Sequence, residues 1–187
     1  MNRREAVTAV AWLMGGTLIS ADLLVACTTK SKDVSDLFKP EQLAFLNEVA
    51  DTILPTTNTP GAKAANVGEF MAVMVRDCYA PEDQKIFLEG LSKLDKASDD
   101  KFNKDFMKLD AKQRTELLTA LDKEQNEHMR TKKPADPNHY FRMMKELTLL
   151  GYFSSEIGAT QALRYEPVPG RYDGCMPYKK GDRAWAT

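Results

Sequence analysis

The chain has 187 residues, and its 26 Lys and Arg residues nearly balance its 27 Asp and Glu residues, so the formal net charge at pH 7 is −1. A near-neutral chain gives no bulk electrostatic reason to bind nucleic acid, and we exclude that class of partner. The length is sufficient for a single domain with a core of its own.

Residues 1–26 have the layout of an export signal. Arg3 and Arg4 precede an apolar run that is shorter than the roughly 20 residues needed to span a membrane. Paired arginines at this place are typical of substrates of the twin-arginine translocase, which exports folded proteins. The signal ends in Leu24-Val25-Ala26-Cys27, which has the form of a lipobox. We therefore predict export to the periplasmic side of a bacterial membrane with a lipid on Cys27; a cleaved signal without lipid and an uncleaved anchor are the alternatives.

A tether and a helical domain are predicted next. Residues 27–38 are mostly polar and predict a tether to a domain at residues 39–164. Pro40 and Pro81 each precede acidic residues, as in the first turn of a helix, and Pro55 ends the first helix. Helical spacing predicts these buried faces: Leu43, Leu46, Val49, Ala50 and Ile53; Val67, Phe70, Met71, Met74, Val75 and Cys78; Phe87, Leu88, Leu91 and Leu94.

Further helices are predicted in the second half of the domain. Asp110 and Gln113 have the spacing of a capping box, and the charged residues 122–136 predict a solvated helix end and a loop. Asp136-Pro137 then predicts the cap of the next helix. The expected buried residues are Phe102, Phe106 and Leu109 in a connecting turn, Leu117, Leu118 and Leu121 on one helix, and Tyr140, Phe141, Met144, Leu147 and Leu150 on the next.

The chain is predicted to be all-α, a single compact multi-helix domain with an irregular C-terminal arm. Gly151 and Ser154-Ser155-Glu156 indicate a break and a restart, with a short helix to about residue 163. Residues 165–187 then hold prolines and glycines at a density that prevents both helix and sheet. Because disordered tails are poor in aromatic residues, we expect this aromatic-containing arm to be ordered against another surface.

Cysteine chemistry follows from the predicted compartment. If Cys27 carries lipid, Cys78 and Cys175 remain in an oxidising environment, where two thiols tend to form a disulfide. Such a bridge would connect the arm to an early helix. The alternative is two separate thiols, with Cys78 a small core residue.

No residues are predicted to be catalytic, to bind a cofactor or to bind a metal. The glycines form neither a dinucleotide fingerprint nor a phosphate loop, and there is no Cys-x-x-Cys-His haem attachment sequence. His128 and His139 lie in different segments without a ligand partner at helical spacing, so we interpret them as surface or capping residues. Thr59-Pro60-Gly61-Ala62 is a binding loop or a plain turn, and Ser154-Ser155-Glu156 is best explained as a helix N-cap.

Several motifs, taken in their order, resemble the gluconate 2-dehydrogenase subunit 3 family over about residues 38–180. They are the twin-arginine start, Asp51-Thr52-Ile53-Leu54-Pro55 with Asn58-Thr59-Pro60-Gly61-Ala62, Asp77-Cys78-Tyr79, the run from Leu147 to Gly158, and Pro169-Gly170-Arg171-Tyr172-Asp173-Gly174-Cys175.

This resemblance implies a non-catalytic small subunit of a membrane-associated sugar or sugar-acid dehydrogenase. The implied large subunit is an FAD-containing flavoprotein of the glucose–methanol–choline (GMC) type, and in that family a cytochrome c commonly receives the electrons. The small subunit would carry the export signal for both proteins, act as a chaperone in maturation of the large one, and hold it at the membrane through its lipid.

The arm is then the expected contact with the large subunit. Aromatic residues and arginine dominate binding hot spots, which makes Arg171, Tyr172, Tyr178, Arg183 and Trp185 the candidate partner-binding residues. One alternative is a stand-alone helical lipoprotein that acts as a structural or binding module, and another is an enzyme with an unfamiliar site.

Overall fold

The computed structural model describes residues 33–168, 170–171 and 173–186, and within them it confirms the predicted all-α fold. The predicted export signal and Cys27 lie outside the described residues. The α-helices of the described part are α1 (Pro40–Ile53), α2 (Val67–Cys78), α3 (Pro81–Phe102), α4 (Ala111–Thr131) and α5 (Tyr140–Ser154). The other helical elements are short: 3₁₀ turns at Val34–Asp36 and Phe106–Lys108 and a π-helical turn at Gly158–Ala162. In this part of the chain, every helix is too short or too polar to cross a membrane.

The helix starts follow the capping rules. Pro40 and Pro81 occupy the first turns of α1 and α3, as predicted. The carboxylate of Asp110 accepts a hydrogen bond from the Gln113 backbone N–H at 2.8 Å, and the Gln113 side chain accepts one from the Asp110 N–H at 3.3 Å. The capping box before α4 is therefore confirmed.

One prediction for the second half was confirmed and one was wrong. Helix α4 ends at Thr131 and a loop follows it, in agreement with the helix end and loop predicted for residues 122–136. The helix extends this far because its buried stripe goes on through Gln125 and its charged residues are good helix formers. The cap of α5 is His139 rather than Asp136-Pro137, since the His139 ring accepts a hydrogen bond from the Phe141 N–H at 3.3 Å. Asp136 instead closes a turn with the Lys133 N–H at 2.8 Å.

One core joins all five helices. Its buried apolar side chains are Phe38, Leu46, Val49, Ala50, Ala62, Val67, Met71, Ala72, Val75, Phe87, Leu91, Leu94, Phe106, Leu109, Leu117, Leu118, Leu121, Tyr140, Phe141, Met143, Met144, Leu147 and Tyr152. Phe38, which falls in the predicted tether, packs edge-on against Phe87. The core therefore begins before the predicted domain boundary. Leu150 and Cys78 were expected to be buried and are exposed.

Helices α1 and α2 approach closely because of a glycine and an asparagine. The Asn47 side-chain oxygen accepts a hydrogen bond from the Gly68 N–H at 2.9 Å, so α1 caps the start of α2. A Cβ on Gly68 would lie 2.8 Å from the Leu43 carbonyl oxygen and the Asn47 side chain. Only a glycine fits at this contact.

Glu48 ties α1 to two other parts of the fold. Its carboxylate forms ion pairs with Lys63, just before α2, and with Arg114 of α4. Hydrogen bonds from Lys63 and Arg114 hold the pKa of Glu48 below its usual value, against the effect of its partial burial. Arg114 also donates to the Met107 carbonyl at 2.9 Å, which fixes the 3₁₀ turn before α4.

Gly90 of α3 is predicted to tolerate no side chain. Its ideal Cβ position is 2.6 Å from the Cβ of the buried Tyr140, whose ring cannot move away without opening the core. We expect Gly90→Ala to lower the free energy of unfolding by about 1–3 kcal/mol, although alanine is the better helix former. Gly170→Ala is the matched control, since nothing lies within 4 Å of its Cβ position. Urea unfolding of both variants checks this, and equal stability of the two would contradict it.

His139 is predicted to make stability fall in mild acid. Burial is the main cause that lowers the pKa of His139 below 6.5, and His128 and Lys93 also lower it while Glu124 raises it. The unfolded chain then takes up a proton before the folded chain does, so stability is lost as pH falls from above 6.5 through the lowered folded pKa. For the uptake of one proton, the free energy of unfolding can change by at most about 1.4 kcal/mol per pH unit.

His139→Asn is the test of that assignment. Asparagine is a good N-cap that does not titrate, so the variant should lose this part of the pH dependence and keep α5 capped. The measurement is the free energy of unfolding from pH 8 to 5 for both chains. Parallel curves would show that His139 is not the group responsible.

Candidate functional site

The loop between α1 and α2 is a packed turn. The Ala62 N–H donates to the Leu54 carbonyl at 2.9 Å, and the Gly61 N–H donates to the Thr56 hydroxyl at 3.1 Å. A Cβ on Gly61 would lie 2.6 Å from the Asp51 carboxylate and 2.7 Å from the Thr56 backbone nitrogen. Gly61 and Ala62 are buried, which favours the plain-turn interpretation of this motif.

The C-terminal end of α5 is fixed onto that turn. The Tyr152 hydroxyl donates to the Pro60 carbonyl at 2.6 Å. One residue earlier, the Phe70 ring of α2 lies so close to Gly151 that a Cβ there would be 2.5 Å from it. These contacts bring together two motifs that lie far apart in sequence, the turn at Pro60 and the run from Leu147 to Gly158.

A tight reversal follows α5. The Ser155 hydroxyl accepts a hydrogen bond from the Gly158 N–H at 3.0 Å, which confirms the interpretation of this motif as a helix N-cap. Gly158 packs directly on the Tyr152 carbonyl and leaves no room for a side chain. The π-helical turn Gly158–Ala162 then leads into the arm.

The arm is a loop that returns to its own starting point. The Arg164 N–H donates to the Ala184 carbonyl, and the Ala186 N–H donates to the Arg164 carbonyl, both at 2.8 Å. The Arg164 guanidinium lies 4.4 Å from the centre of the Trp185 ring, a cation–π contact. Arg183 donates to the Gln161 carbonyl at 2.7 Å. The base of the arm is therefore held by backbone and side-chain contacts.

Beyond this base the described arm is solvent-exposed. Tyr178 is 75% exposed, and Tyr165, Val168 and Met176 are exposed as well. Of the candidate binding residues, Arg183 and Trp185 lie at the base, Arg171 and Tyr178 lie on the exposed part, and Tyr172 is outside the described residues. That the arm is ordered by contact with another surface stays a prediction. Exposed rings beside arginines have the composition of a protein-binding surface.

The two cysteines are not joined in the structure. Cys78 at the end of α2 and Cys175 in the arm are free, exposed thiols. The suggestion that Cys78 is a core residue is therefore wrong. The disulfide between them stays a prediction.

The two histidines lie closer together than their separate segments suggested. Their ring centres are 5.7 Å apart, and the His128 ring lies 3.1 Å from the Pro137 carbonyl oxygen. His139 is a capping residue, as interpreted from the sequence. Within the described ranges, no group of three His, Cys, Asp or Glu residues is arranged to hold a metal ion.

A shallow groove of about 240 Å³ lies between α1, α4 and α5. Its charged groups are Asp122 and Lys145, which pair with each other at 2.6 Å. The hydrogen bond from Lys145 lowers the pKa of Asp122 below its usual value. The two charged groups of the groove therefore neutralise each other.

The sequence analysis missed an exposed apolar face on α5. Leu149, Leu150 and Phe153 are exposed, although the predicted stripe placed Leu150 in the core. The detectable signal was that the second half of α5 is apolar on all sides, which is unusual for a surface helix.

The family model for gluconate 2-dehydrogenase subunit 3 matches residues 40–170, from the first residue of α1 to the beginning of the arm. No curated protein and no solved structure matches the chain significantly.

Proposed function

Because the chain belongs to the gluconate 2-dehydrogenase subunit 3 family, we propose that it is the non-catalytic small subunit of a periplasm-facing sugar or sugar-acid dehydrogenase. In this proposal it binds an FAD-containing GMC-type large subunit, assists its maturation and carries it through the twin-arginine translocase. Its lipid at Cys27 then holds the complex at the membrane, where a cytochrome c accepts the electrons.

The observation that carries this proposal is the exposed arm. Among the described residues, the arm is held at its base and presents Tyr178 with 75% of its surface exposed, which is poorly suited to a chain that works alone. The arm carries Tyr178, Trp185, Arg171 and Arg183, and these residue types contribute most at protein interfaces. The arm therefore supports a binding role and favours it over a stand-alone module.

FAD is assigned to the partner rather than to this chain. The groove between α1, α4 and α5, at about 240 Å³, is smaller than the roughly 300–1,000 Å³ typical of ligand pockets. Its polar lining is three threonine hydroxyls and the Asp122–Lys145 pair. A groove of this size and lining does not fit a dinucleotide, which supports the assignment of FAD to the partner.

The export route supports the same assignment. A cofactor-free helical domain could cross a membrane unfolded, whereas a flavoprotein must bind FAD and fold in the cytoplasm first. The twin-arginine route, addressed by Arg3 and Arg4, transports folded proteins. A single lipid chain binds a membrane only marginally, so durable anchoring requires a fully modified Cys27.

Removal of the arm is predicted to release the large subunit. A chain that ends at Arg164 keeps all five helices, and Tyr178→Ala removes an exposed ring without altering the core. We expect both variants to recover at least about tenfold less flavoprotein in co-purification, because aromatic hot spots contribute 2 kcal/mol or more. Flavin absorbance of the purified complex gives the yield. Undiminished recovery with unchanged thermal stability would contradict the role of the arm.

Replacement of both signal arginines by lysine is predicted to strand the large subunit in the cytoplasm. The charge is kept, but the paired arginines that address the translocase are lost. Cell fractionation should find dye-reducing dehydrogenase activity in the cytoplasm for this variant and in the periplasmic fraction for the wild type. Cys27→Ala is the control, because it should release active complex from the membrane without blocking export. Normal periplasmic activity with the lysine variant would exclude the carrier role.

A further inference from the structure

The outer stripe of α5 changes character halfway along the helix. Arg142 and Glu146, one turn apart, form an ion pair at 2.5 Å on its first half. Leu149, Leu150 and Phe153 continue the same stripe at spacings of three and four residues. Leu150 is 51% exposed, while Leu147, Thr148 and Gly151 on the opposite side are buried. The second half of α5 is therefore apolar towards both the core and the solvent.

This apolar half is held rigidly. Gly151 packs on the Phe70 ring, Tyr152 is bonded to Pro60, and Gly158 is packed on the Tyr152 carbonyl. The three exposed side chains are thus presented on a helix whose end is fixed from three directions. A preorganised surface loses little conformational entropy on binding, which favours affinity.

The charges around the stripe disfavour a membrane as its occupant. Glu146 precedes the apolar residues, and the exposed Glu156 follows them. Anionic lipid surfaces attract basic and repel acidic side chains. The basic residues of α5 beside the stripe, Arg142 and Lys145, are each paired with a carboxylate, Glu146 and Asp122. A membrane-binding helix would instead flank its apolar face with an excess of lysine or arginine.

Continuity with the arm points to a large protein partner. The arm begins at Arg164, ten residues after the end of α5, and its base is tied to the turn that follows α5. Three side chains alone cannot bury the roughly 800 Å² per partner of a stable interface, whereas a surface that also includes the exposed arm has more area available. The chain is a member of a family of enzyme subunits, so another subunit is the expected occupant.

We propose that the outer face of α5 formed by Leu149, Leu150 and Phe153 is a docking surface for an apolar patch on the flavin-containing large subunit. This inference rests on the proposed function and extends its contact from the arm to the helical domain. The helix face supplies a rigid apolar centre, and the exposed arm adds to the area available for contact.

The test is co-purification of the flavoprotein with the full-length chain expressed in its native host. Leu150→Glu places a charge in the centre of the surface, and Leu149→Glu is a second variant in case the first folds poorly. We expect each to reduce the recovered flavin absorbance at least about tenfold, as for a hot-spot residue. Met107→Glu is the matched control, because Met107 is 43% exposed on the turn before α4 and should leave recovery unchanged.

The outcomes separate this inference from the proposed function. If the wild-type chain recovers no flavoprotein, the proposed function fails and the inference falls with it. If the wild type and both α5 variants recover it equally, the inference alone is overturned. It is also overturned if light scattering shows a wild-type dimer that Leu150→Glu dissociates, or if Leu150→Glu abolishes flotation with phosphatidylglycerol vesicles.

Discussion

The hydrogen bond from the Tyr152 hydroxyl to the Pro60 carbonyl is the contact on which the position of the end of α5 and of the arm depends. It connects the turn between the first two helices to the last turn of α5, across a long stretch of sequence. Tyr152 is buried, so the free energy of unfolding would fall by about 1–3 kcal/mol if its hydroxyl had no hydrogen-bond partner. The turn must therefore present its carbonyl at this place. Gly61, which has no room for a Cβ, allows the compact turn that does so.

Two further glycines fix the position of the arm relative to α5. Gly151 lets α5 approach the Phe70 ring, and Gly158 lets the chain reverse on the Tyr152 carbonyl. A larger residue at either place would move the end of α5 and with it the base of the arm at Arg164. The motifs that carry the family resemblance are thus mainly packing motifs. They position the end of α5, whose own Leu149, Leu150 and Phe153 are exposed, and the base of the arm.

Local signals predicted most of the helical architecture, and tertiary contacts explain where they failed. The capping box at Asp110 and Gln113 and the prolines that open α1 and α3 act within one turn, so the sequence shows them directly. The start of α5 was placed at Asp136-Pro137 because aspartate ranks above histidine as a cap, although the His139 ring is the group that caps the helix. The start of α2 depends on Asn47, a residue of another helix, and no local pattern reveals such a contact.

Leu150 shows how a sequence rule fails at an exposed helix face. Periodicity assigns apolar residues to the core, since burial of an apolar side chain in its own protein is the commonest reason for its presence. On α5, however, the apolar residues cover more than one face, and one helix can turn only one face to its own core. Leu149, Leu150 and Phe153 must then remain exposed or be covered by another molecule. An excess of apolar residues over what the core can take therefore supports the proposed docking surface, on a ground separate from the family to which the chain belongs.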